Sequence, residues 1–174
     1  MKAKVLALLM LASQGVYAAD CTNAGIQPSS DETIDFEIAA DGTVTDKSSG
    51  LMWMRCSVGQ SWVQSAGTCA GSVIKAEWDK MVLLNQFNAS GGFAGKTDWR
   101  LPNINELRSL TEDCRSDPAI NTLLFPDTPS TKYWTSSPYV GLVTSAWVVD
   151  FSHGRDNFEL KNNTNAVRLV RVAD

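Results

Sequence analysis

"DWRLPNINELRSL", residues 98–110, decides the reading of the fold. Pro102 disfavours helix at Leu101, so the chain reaches it extended. Asn103 is a natural N-cap, and Glu106 stands three positions on, where the acid of a capping box belongs. Leu107 and Leu110 then share one face of a short helix. Trp99 and Leu101 demand burial, yet Arg100 sits between them. A buried guanidinium needs its donors satisfied, with Asp98, Glu106 or Glu112 as possible partners. The stretch is therefore expected to be scaffold. Trp99, Arg100, Pro102, Asn103 and Glu106 deliver an extended segment into a capped helix, and Arg100 cross-links loop and helix rather than serving catalysis.

Working outward, "VIKAEWDKMVLLNQF" (73–87) is the strongest helix candidate. Ile74, Trp78, Met81, Val82, Asn85 and Phe87 approximate one apolar face, with Lys75, Glu77, Asp79 and Lys80 on the other. Ser90, Gly91 and Gly92 end it. Further back, "GTVTDKSSGLMWMR" carries two β-prone runs, Thr43 to Thr45 and Leu51 to Arg55, around turn residues, which predicts a hairpin. Beyond Asp117-Pro118, "KYWTSS", "SAWVVDF", "NFELK" and "AVRLVRV" are four candidate strands. The last alternates in a way that fits a strand covered on both faces. Two helices with small antiparallel sheets make an α+β domain rather than an alternating βαβ enzyme.

The first 18 residues read as a signal peptide. Lys2 and Lys4 precede the apolar run Val5 to Ala12, and Val16-Tyr17-Ala18 offers a cleavage site. The run is far shorter than the roughly 20 residues that span a bilayer, and no later stretch does so. Asp20 stands where a lipobox wants Gly or Ala, which disfavours lipidation at Cys21. Residues 19–35 then form a polar N-terminal arm and 36–174 the domain. Export places the mature chain in the periplasm, at the surface or outside the cell. Losing Lys2 and Lys4 takes the basic count from 15 to 13 against 19 acidic residues, a net charge of −6. Such a domain has no electrostatic footprint for nucleic acid.

All four cysteines lie in the exported part, where disulfides are the leading reading. Cys56 and Cys69 flank a polar, Gly-containing loop that a local bridge would close, which leaves Cys21 with Cys114. Reducing both should loosen the arm and the 57–68 loop before the core. No CxxC pair is present and the single histidine, His153, is distant, so no zinc site or other metal site is expected. No cofactor is expected either. Among the six tryptophans, Trp53, Trp78, Trp99 and Trp147 are expected in the core, and Trp62 and Trp134 nearer the surface.

The blocks "DGTVTDKSSGLMWMRC", "GQSW", "DWRLPNINELRSL", "PAINTLLFPDTPSTKYWTSSP", "AWVVDFSHG" and "VRLVR" occur in the order found in the Lcl C-terminal domain family of exported bacterial proteins, which the chain resembles. "RLPNINEL" and "VRLVRV" are also similar to motifs of the formylglycine-generating enzyme superfamily. That second resemblance implies a C-type-lectin-like fold, with a compact body and a long loop region carrying ligand contacts.

Three functional readings follow. The first is a non-enzymatic binding module of lectin or adhesin type, since the family includes the terminal domain of a collagen-like adhesin; its partner would be a glycan or cell-surface polymer. The late loops "PYVGLVTS" and "SHGRDNFELKNNTN" supply Tyr139, His153, Arg155, Asp156, Asn157 and Asn162 as candidate ligand contacts. Net charge argues against strong polyanion binding. Asp150, Asp156 and Asn157 offer oxygens to calcium, but no Glu-Pro-Asn triplet accompanies them. The second reading is an enzyme related to formylglycine generation. That chemistry uses late cysteines, and none follows Cys114; an acid–base alternative would pivot on His153 with Asp150 or Asp156, so no catalytic residue is assigned. The third is a subunit of an envelope or surface assembly.

Overall fold

The computed structural model describes Cys21, Asp31 and residues 34–174, the last without the side chains of residues 81–83. The expected signal peptide and most of the expected arm lie outside the described residues. The expected hairpin is present. Strands β1 (Phe36–Ile38), β2 (Thr43–Asp46) and β3 (Leu51–Met54) form a meander, and β11 (Val170–Val172) adds antiparallel to β3. The β2–β3 turn is held by the Asp46 carboxylate, which accepts from the Ser48 amide and from the hydroxyls of Ser48 and Ser49.

The "WRLP" step attaches to the far side of β11. Arg100 and Val170 exchange backbone hydrogen bonds of 2.9 and 3.0 Å. Trp99 is buried, its indole N–H donating to the Phe93 carbonyl, while the Asn88 amide brackets its backbone on both sides. Helix α2 (Ile104–Arg108) starts at an Asn103 cap with both halves of the capping box made. The Arg100 guanidinium grips Glu106 through two bonds of 2.8 Å, so loop and helix are cross-linked as expected. Its side chain is nevertheless 42% exposed. The expectation of a buried guanidinium fails at Arg100 because the pair lies on the outer side of the helix start.

The buried guanidinium is Arg168, at 0% exposure. It donates to the carbonyls of Met54 and Arg55 and to the hydroxyls of Ser57 and Thr128, with its plane 4.8 Å from the Phe125 ring centroid. Its Nε finds no acceptor among the described residues. Burial lowers its pKa from the ordinary arginine value.

The second sheet runs β7 (Lys132–Pro138), β8 (Ser145–Asp150), β9 (Arg155–Leu160) in that order. Its register keeps the two faces apart. Tyr133 lies opposite Val149, and both join Val44, Trp53, Leu107, Leu110 and Phe125 in one core cluster. Trp134 lies opposite Val148, and both join Met54, Trp99, Leu101 and Leu169 in the other. Burial on both faces accounts for the nearly unbroken apolar run of "AWVV". Trp134, expected near the surface, is thus fully buried, its indole donating to the Ala76 carbonyl. Trp147, expected in the core, is half-buried.

The 73–87 helix is shorter than its periodicity predicts. Residues Ala76–Glu77 form β6, paired with β10 (Thr164–Asn165); Trp78–Val82 is a 3-10 turn; only Leu83–Ala89 is α-helical, as α1. Tertiary pairing wins locally: the Trp78 amide donates to Lys161 and the Ile74 amide to Val58. Ile74, placed on the apolar face by its spacing, is accordingly exposed. Ser90 to Gly92 close α1 as expected, with Gly91 and Gly92 at positive φ.

Both expected disulfides are formed, Cys21–Cys114 and Cys56–Cys69. The Cys56–Cys69 loop is a hairpin of β4 (Ser61–Val63) and β5 (Thr68–Ala70). Trp62 anchors it: the indole donates to the Ala40 carbonyl and lies under the Arg55 guanidinium at 4.4 Å. Gly42 lets the ring in, since a Cβ there would stand 2.5 Å from Trp62 Cγ.

Candidate functional site

The β7–β8 connection and the outer strand β9 carry Val140, Leu142, Val143, Phe158 and Leu160 as exposed large hydrophobic residues. Trp147 on β8 lies opposite Phe158 on β9. Tyr139, at the start of the connection, folds back over both. Its ring stacks on Phe158 at 4.1 Å and 6° and meets Trp147 edge-on at 5.2 Å and 82°. The loop closes tightly to allow this, with Leu142 donating to Tyr139, and Ser145 to Leu142. Gly141 is required by the same packing, because a Cβ would stand 2.7 Å from the Tyr139 ring. Phe158 keeps 42% of its surface exposed beside this stack. Around the platform Val140 is 96% and Val143 80% exposed, with Leu142 and Leu160 also exposed.

Two clefts flank β9. At its C-terminal end Asp79, Val143, Thr144, Leu160, Lys161 and Asn162 line a cleft of about 570 Å³. The Lys161 ammonium stands 4.3 Å from the Trp78 ring centroid there. At its N-terminal end Asp150, His153, Arg155, Asp156 and Asn157 line a cleft of about 410 Å³. Burial works against ionisation of Asp150, but the Ser152 hydroxyl and amide outweigh it, and the carboxyl is held below its ordinary range. Asp156 pairs with Arg108 of α2 at 3.5 Å.

The six candidate contacts therefore do not form one cluster. His153, Arg155, Asp156 and Asn157 line one cleft, Asn162 the other, and Tyr139 the aromatic platform beyond β9. Arg155, Asp156 and Asn157 lie on strand β9 rather than on a loop, a correction to the expected placement. Sequence reasoning missed Trp147, Phe158, Leu160 and Lys161. Their signal was the alternation of Phe158 and Leu160 with polar neighbours, together with "VGLV" set apolar in a connection.

The Ser152 hydroxyl lies 2.6 Å from the Asp150 carboxylate and 2.8 Å from His153 Nδ1. For a metal, three or more His, Cys, Asp or Glu side chains converge among the described residues only at Cys21, Glu112 and Cys114, and both sulfurs there are spent in the disulfide.

Residues 42–171 match the model of the Lcl C-terminal domain. The chain belongs to the Lcl C-terminal domain family. The matched span runs from Gly42 on the β1–β2 connection to Arg171 in β11 and contains the aromatic platform and both clefts. It also holds the "WRLP" step and the buried Arg168, so the scaffold of the Lcl domain and its exposed face lie in one matched unit. No curated protein matches the chain. No helix among the described residues is long and apolar enough to cross a membrane.

Proposed function

We propose that this Lcl domain is an exported, non-enzymatic binding module of lectin or adhesin type, built on a C-type-lectin-like body, that recognises a glycan or cell-surface polymer. The observation that carries the reading is the Tyr139–Phe158 stack, in which Phe158 is 42% exposed, beside clefts lined by Asn157, Asn162 and Lys161. An exposed aromatic ring accepts the C–H side of a sugar ring, and neighbouring amides take its hydroxyls. Two disulfides in a small domain suit an oxidising compartment, which supports cleavage after Ala18 and export. The arm 19–35 is then the tether, held at Cys21, and 36–174 the binding body.

The test is an array of glycans and surface polymers, probed with the mature protein in calcium and in chelator. Retention of a neutral or weakly charged glycan, at least tenfold weaker for Phe158→Ala and indifferent to chelator, is the expected result. An empty array, or binding that Phe158→Ala leaves intact, contradicts the reading. A second reading, a subunit of an envelope assembly, is favoured by the exposure of Val140 and Val143. It predicts a stable oligomer or a co-purifying envelope protein, where the first predicts a monomer.

A further inference from the structure

The short α1 leaves an apolar slot behind it, lined by none of the residues of the Tyr139 platform. Val58, Ile74, Leu84, Phe87, Val167 and Leu169 line a space of about 240 Å³ that is almost wholly apolar. That is smaller than the roughly 300 Å³ at which drug-sized sites begin. The rim is built by close backbone approach. The Ile74 amide donates to Val58 at 2.9 Å, and Gly59, at φ +96°, lies where a Cβ would stand 2.6 Å from Ile74 Cγ1. This holds Ile74 at the mouth with 57% of its surface in water, an arrangement unfavourable for an isoleucine with nothing to cover. One charged side chain lines the slot, Lys80. It is exposed and makes no ion pair among the described residues, and its neighbour Asp79 lines the cleft beside Lys161 instead.

We infer that the slot binds a small amphiphile with a medium-length aliphatic tail and an anionic head. The tail lies among Leu84, Phe87, Val167 and Leu169, where the lining offers no hydrogen bond to a polar group, and removing a tail from water supplies the affinity. Lys80 at the mouth takes the head, complementing its charge.

Octanoate is the probe, titrated calorimetrically into the mature, disulfide-intact protein, with hexanoate and octanol as comparisons. Saturable one-site binding of octanoate is expected, tightening about fourfold per added methylene from hexanoate. Lys80→Ala is expected to weaken octanoate about two- to fivefold and leave octanol unchanged. Leu84→Trp fills the slot and abolishes both; Ile74→Trp, at the exposed rim, blocks the mouth if the Leu84 variant does not fold. Phe158→Ala leaves octanoate binding intact, which separates this site from the platform. No saturable octanoate binding, equal octanoate affinity in Lys80→Ala, or binding that survives the folded Trp variants overturns the inference.

Discussion

Arg100 and Arg168 carry the same charge in one domain and have opposite surroundings. Arg100 shares its charge with Glu106 at a half-open helix start; Arg168 is sealed among carbonyls, hydroxyls and the Phe125 ring. Arg168→Met removes donors from several buried acceptors at once, so a loss of more than about 3 kcal/mol is expected. Thermal melting then falls by at least about 6 °C, and Arg168→Lys recovers only part, because an ammonium cannot reproduce the fork. A melting point unchanged in Arg168→Met would show that the cation is dispensable. For Glu106, the Arg100 guanidinium, then against burial the Asn103 amide, hold the carboxyl below its ordinary range. A depressed folded-state pKa contributes stability above the ordinary carboxylate range of about 4.3 and loses it as pH falls through the lower value. Glu106→Gln should therefore cost about 1 kcal/mol at neutral pH in denaturant titrations, and nothing once acid has protonated the wild-type carboxyl. An equal cost at both pH values would contradict this account. Arg100 was legible in sequence because cap, acid and guanidinium sit within seven residues. Arg168 was not, because its partners lie 40 to 114 positions away.

At the scale of elements, local chemistry decided some boundaries and pairing decided others. The β2–β3 hairpin and α2 follow from turn and cap residues in their own sequence, and they formed where expected. Residues 73–82 followed the helical period on paper, but pairing with β10 drew Ala76–Glu77 extended, and Trp78–Val82 became a 3-10 turn whose first amide donates to the Lys161 carbonyl. Strand β9 was legible as a strand, though not as the sheet's outer strand, and its position turns three expected loop contacts into edge residues. That edge is guarded: the Phe158 amide is taken by the Asn157 side chain at 2.8 Å. The disulfides tie the less regular elements to this frame. In the loop-entropy account, opening Cys56–Cys69, 13 positions apart, costs about 3 kcal/mol, and opening Cys21–Cys114, 93 apart, over 4. Mild reduction is expected to speed hydrogen exchange at 57–68 well before β7–β9, although Trp62 and the Asp127 carboxylate, which accepts from Cys69, keep the hairpin partly docked. Simultaneous exchange in both regions would mean that the bridges support the core itself.

For the whole molecule, charge and surface pull in different directions. The chain is acidic, with a formal net charge of −4, while its exposed face beside β9 is apolar and aromatic. Long-range attraction to polyanions is therefore absent, and we expect heparin retention to be weak and to vanish at modest salt. Calcium should leave melting unchanged relative to chelator; a calcium-dependent rise would reveal an oxygen site that the described residues do not assemble. The aromatic face was the least legible feature of the sequence, because Trp147 meets Phe158 only through the register of β8 on β9, and Tyr139 reaches them only through the closure of the β7–β8 connection. The most direct measurement is chemical-shift mapping of the mature protein with the glycan the array retains best. The account predicts saturable shifts centred on Tyr139, Trp147 and Phe158 and on the residues of the flanking clefts. Shifts confined to the opposite side of the domain, around Trp62 and β4–β5, would contradict it.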